Sequence, residues 1–71
     1  MTMMIKGDAK DELEAMIDRN GLDAVLETLS VICAEKAEHL NTNWQDKVAA
    51  RDWIKASNLI DTVATRVSKL I

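Results

Sequence analysis

The 71-residue chain has no proline, no phenylalanine and no tyrosine, and only two glycines, one cysteine and one histidine. Each shortage excludes something. Without proline, and with glycine only at positions 7 and 21, there are few places where a helix is obliged to stop. A single thiol, Cys33, cannot form an intrachain disulfide, and one His with one Cys cannot assemble a His/Cys zinc site. No apolar run approaches the roughly 18 residues of a membrane span, and the mildly apolar residues 1–6 are too short for the core of a signal peptide. There is no Gly-rich phosphate loop and no pairing of nucleophile with base. The chain therefore reads as a soluble, cytoplasmic, non-enzymatic protein with no catalytic, metal-ligating or cofactor-binding residue, no cofactor and no membrane partner. A lone reduced thiol suits that compartment.

What is present favours helices. Ala, Leu, Glu, Lys, Asp and Met are plentiful, and a hydrophobic share of 48% is too high for a disordered tail. Residues 1–71 form at most one domain, and a core this thin usually needs a staple. With disulfide and zinc excluded, self-association is the staple left. Charge is uneven. Residues 1–40 hold four basic against nine acidic side chains, a balance of −5, and residues 41–71 hold five against three, a balance of +2. That asymmetry favours the C-terminal segment lying along the N-terminal half.

Residues 1–7 read as a flexible tail and residues 8–20 as a short helix. Asp8 is its expected N-cap, and Leu13, Met16 and Ile17 form a narrow apolar stripe. Asn20-Gly21 ends it, with Gly21 expected in the left-handed conformation and Asn20 expected to cap the next helix. That helix carries Leu22, Val25, Leu26, Leu29, Ile32, Cys33, Ala37 and Leu40 on one wide face. Asn41-Thr42-Asn43 is a poor helical stretch, yet Trp44 continues the stripe four residues after Leu40. Ending the helix at residue 44 gives two arms of about 23 residues, each roughly 35 Å long. The turn is therefore placed at Gln45-Asp46-Lys47, with Asp46 capping a third helix over 48–70. Along that helix Ala49, Trp53, Ala56, Ile60, Val63, Val67 and Leu70 are spaced 4, 3, 4, 3, 4, 3, a heptad seam. The fold expected is all-α: a short N-terminal helix, then a long antiparallel helical hairpin. Two arms cannot cover such wide stripes, so a homodimer forming a four-helix bundle is expected. Its seam comprises Leu26, Leu29, Cys33 and Leu40 on one arm with Trp53, Ala56, Ile60, Val63, Val67 and Leu70 on the other.

Candidate sites are few. Glu35, Glu38 and His39 could bind a metal or exchange protons, but Lys36 breaks the Glu-x-x-His pattern of di-iron bundles, and a solvated helix face explains the cluster better. Cys33, among apolar neighbours, reads as a small buried hydrophobe. Lys36 sits at the stripe's margin, its stem packed or its amine paired with Asp52 or Asp61. Lys47, Arg51, Lys55, Arg66 and Lys69 make the third helix basic, but Asp52 and Asp61 dilute it, which argues against nucleic acid. Trp44 and Trp53 bracket the turn as an end-cap or as an anchor for an unidentified protein partner, with Asn43 and Gln45 supplying polar contacts.

The run Ile32-Cys33-Ala34-Glu35-Lys36-Ala37-Glu38-His39-Leu40, with Asn43-Trp44-Gln45-Asp46 and Trp53, resembles a group of small helical proteins from marine cyanobacteria and their phages. The similarity spans about residues 22–70. That group has no established activity, so the resemblance implies a stand-alone helical protein and assigns no functional residue. The function expected is protein–protein contact, as an adaptor or regulator of a larger assembly.

Overall fold

A computed structural model describes residues 4–71, the side chain of Trp44 excepted. Three α-helices make up the described chain: α1 (Asp8–Asn20), α2 (Leu22–His39) and α3 (Lys47–Leu70). Among the described residues there is no strand. Of the expected N-terminal tail, residues 1–3 lie outside the described residues; Met4, Ile5 and Lys6 are exposed and without secondary structure.

The helix starts differ from expectation. Gly7, not Asp8, is the N-cap of α1; it supplies no side-chain bond, and its carbonyl accepts from Asp11 N–H at 3.2 Å. Asp8 is instead the first helical residue, where with Asp11 it places negative charge against the positive end of the helix dipole. Asn20 does not cap α2. Its amide donates back to the carbonyl of Met16 at 2.9 Å, which uses the side chain within α1. Gly21 is both the C-cap of α1 and the N-cap of α2. Its φ of 93° and ψ of 148° are not left-handed helical but lie in a more extended positive-φ region that glycine alone enters freely. Its N–H closes α1 on Ile17 O at 2.7 Å, and its carbonyl opens α2 by accepting from Val25 N–H at 3.2 Å.

After His39 the chain stays helical but widens into a π turn over Leu40–Trp44. The poor helix formers Asn41, Thr42 and Asn43 occupy it, and Thr42 Oγ1 donates to the Glu38 carbonyl. Gln45 then takes the left-handed conformation at φ 52°, and the Gln45 and Asp46 N–H groups both reach the Leu40 carbonyl. Asp46 caps α3, its carboxylate accepting from Ala49 N–H at 3.0 Å. At 24 residues and 1.5 Å per residue, α3 is about 36 Å long, which accounts for the 37 Å long dimension of the molecule.

α2 and α3 pack antiparallel, and the line between them is made of small side chains. The buried residues are Ser30, Cys33 and Ala37 on α2 and Ala50, Ser57 and Ala64 on α3. The α3 line repeats every seven residues, so it faces one neighbour along its length. It is not the Ala49-to-Leu70 stripe but lies one position over. Small side chains let the two backbones come close. At the middle of the seam Ser30 Oγ lies 2.9 Å from the Ser57 carbonyl oxygen, and Ser57 Oγ lies 2.8 Å from that of Ser30. Each hydroxyl donates to a carbonyl that also serves its own helix, which the second lone pair permits. Close approach leaves no room for large residues between the helices, so these flank the seam. α1 packs on α2 and makes no contact with α3.

Candidate functional site

The two flanks of the hairpin differ in chemistry. One side carries Ala34 and Glu38 from α2, Asn41 from the π turn, and Lys47, Arg51 and Ile54 from α3, which line a shallow groove near the turn. Lys47 and Arg51 of the basic stripe thus share a groove with the Glu38 carboxylate. On the other side, α2 contributes a second complete seam beside the buried one: Leu22, Val25, Leu29, Ile32 and Lys36, spaced 3, 4, 3, 4. α3 does the same with Ala49, Trp53, Ala56, Ile60, Val63, Val67 and Leu70. Toward its N-terminal half the outer seam of α2 is met by α1, where Leu13 and Met16 line a groove with Val25, Leu29 and Ile32. Among the described residues no helix covers the outer seam of α3 in this way.

This outer face is the candidate site. Leu29, Ile32, Trp53, Val63 and Leu70 are all exposed, Leu70 at 80%. Ala56, Ile60 and Val67 are half-buried. No large side chain anywhere in the described chain is fully buried. The residues expected to share one dimer and core seam therefore separate into two groups. Cys33 joins the buried inner line with Leu26 and Leu40 half-buried at its ends, while Leu29 and the α3 residues from Trp53 to Leu70 form or border the outer face.

Ile32, Glu35, Lys36, His39, Leu40 and Trp53 line a cleft at the turn end of this face. Lys36 Nζ stands 5.7 Å from the centroid of the Trp53 ring, a cation–π distance. Among the described residues Lys36 makes no ion pair with Asp52 or Asp61. The Asn43 amide nitrogen lies 2.7 Å from His39 Nδ1, within hydrogen-bond distance. Glu35, Glu38 and His39 are exposed, and among the described residues no group of three or more His, Cys, Asp or Glu is arranged to hold a metal ion. Asn43 and Gln45 are exposed beside the turn; the Trp44 side chain lies outside the described residues. No helix among those described is long and apolar enough to cross a membrane.

Reading the sequence by its large apolar residues missed Ser30, Ser57, Ala50 and Ala64. The signal that finds them is the seven-residue repeat of small side chains at 50, 57 and 64. Comparisons with protein-family models, with curated proteins and with solved structures gave no match.

Proposed function

We propose that this chain is a non-enzymatic cytoplasmic protein that acts through protein–protein contact, as a homodimeric adaptor or regulator of a larger assembly. One observation carries the reading. Among the described residues the inner seam buries only Cys33, Ala37, Ala50 and Ala64 as apolar residues, while thirteen large hydrophobic side chains remain exposed. Burying an alanine methyl stabilises by about 0.8 kcal/mol, against roughly 1.5–3 for a Leu or Ile. Ordering each residue's backbone costs about 1–2 kcal/mol. A hairpin held by methyls and two serine hydroxyls is marginal alone, and without disulfide or metal the remaining source of stability is another polypeptide.

Light scattering and thermal melts at several protein concentrations test this. A dimer whose melting temperature rises with concentration is the expected result. A monomer at several hundred micromolar that melts cooperatively at a concentration-independent temperature would refute it.

A further inference from the structure

We infer that the outer seam of α3 is the homodimer interface, and that a second copy packs its own α3 there antiparallel, about a two-fold axis passing near Ile60. The inference rests on the homodimer reading above and adds the surface, the orientation and the register.

The area argues for a partner of this size. The chain exposes 5918 Å², whereas a compact monomer of 7.9 kDa is expected to expose about 4,400 Å². The surplus is about 1,500 Å². It is of the order of a standard interface, about 800 Å² per partner. A surface needed for the fold itself requires an occupant present whenever the chain is made, and a second copy meets that condition.

The pattern on α3 argues for the surface. Two heptad lines run along it, Ala50-Trp53-Ser57-Ile60-Ala64-Val67 and Ala49-Trp53-Ala56-Ile60-Val63-Val67-Leu70, and they share Trp53, Ile60 and Val67. A helix with one neighbour needs one line. A helix inside a four-helix bundle touches two neighbours and needs two adjacent lines. α2 satisfies the first. Among the described residues no element covers the second, since α1 lies on α2 alone.

Charge gives the orientation. Asp52 and Arg66, both exposed, lie on the solvent margin of the outer seam at equal distances either side of residue 59. In an antiparallel pair whose axis passes at residues 59 and 60, Asp52 lies beside Arg66 of the second copy, twice by symmetry, and Trp53, which with Val67 is centred on Ile60, packs against Val67 of the second copy. A parallel pair would set Asp52 against Asp52 and Arg66 against Arg66. The two-fold interface is self-complementary only in the antiparallel arrangement.

The test uses the full chain. In a sample mixing labelled and unlabelled protein, isotope-filtered NOEs are expected between the Trp53 ring and the Val67 methyls of different copies, and none from Val31, which is exposed on the opposite flank of α2. Asp52→Arg is expected to weaken the dimer about tenfold, by turning two attractions into two repulsions, and Asp52→Arg with Arg66→Asp to restore it. These readouts need no variant with a disrupted core. A dimer whose intermolecular NOEs arise from Val31 and Ile54, or one that Asp52→Arg leaves unchanged or that the double exchange fails to rescue, would overturn this interface while leaving the homodimer reading standing. A wild-type monomer would overturn both, and would leave the face to an unrelated protein.

Discussion

Ser30 and Ser57 face each other across the hairpin, each hydroxyl donating to the other's main-chain carbonyl, with the two oxygens 3.0 Å apart. There are two protons and three close contacts. When both protons go to carbonyls, the oxygen–oxygen contact carries no bond. Neither bond then depends on the other side chain. Ser30→Ala and Ser57→Ala are each expected to lower unfolding free energy by about 1 kcal/mol. Their effects in the double variant should add to within about 0.5 kcal/mol. Denaturant titration of the four proteins measures this, and a coupling of 1 kcal/mol or more would show that the hydroxyls bond chiefly to each other.

Ala64 is 2% exposed and belongs to the line of small residues that faces α2, whereas Ala56, one helical position from the seam, is half-buried on the outer flank. Leucine is nearly as good a helix former as alanine, so substitution at the two sites differs in packing alone. Ala64→Leu is expected to destabilise by about 1–3 kcal/mol, by forcing the helices apart. Ala56→Leu should cost less than half as much. Equal melting temperatures for the two variants would contradict the close approach.

Gly21 has two reasons to be glycine. Its φ of 93° is strained for any other residue, and a Cβ there would stand 2.9 Å from Asp23 Oδ1. Gly21→Ala is expected to cost about 1–3 kcal/mol. Adding Asp23→Ala removes the clash but not the backbone strain, so the double variant should recover only part of the loss. Full recovery would place the whole cost on the carboxylate.

Asp46 is the one side-chain helix cap in the described chain. Asp46→Ala is expected to lower stability by about 0.5–2 kcal/mol, and Asp46→Asn, which keeps an acceptor for Ala49 N–H, by much less. Thermal melts of both variants decide it.

Much of this was legible from residue order. The stripe through Leu40 and Trp44 pointed to a helical path beyond the Asn41-Thr42-Asn43 stretch, and Asp46 was readable as a cap because a carboxylate stood just ahead of a strongly periodic segment. The inner seam was not legible, for a physical reason. Two heptad lines on α3 share Trp53, Ile60 and Val67, and hydropathy favours the one with more large residues. Which line faces α2 is settled by how closely two backbones can approach, and there Ala50, Ser57 and Ala64 win because they are small. The caps at Gly7 and Gly21 were missed because Asp8 and Asn20 are good capping residues by type. Their use depends on φ and ψ at the preceding or following glycine, which composition does not reveal.

The single-residue joint at Gly21, with α1 resting on α2 alone, divides the molecule into two units of unequal cooperativity. None of the residues of α1 is buried, so its opening exposes little new apolar surface and leaves the inner seam intact. Its amides should exchange with solvent through a local opening of lower free energy than the one that releases α2 and α3. Native-state hydrogen exchange would then sort the chain at Gly21, with Ser30, Cys33, Ser57 and Ala64 among the last amides to exchange.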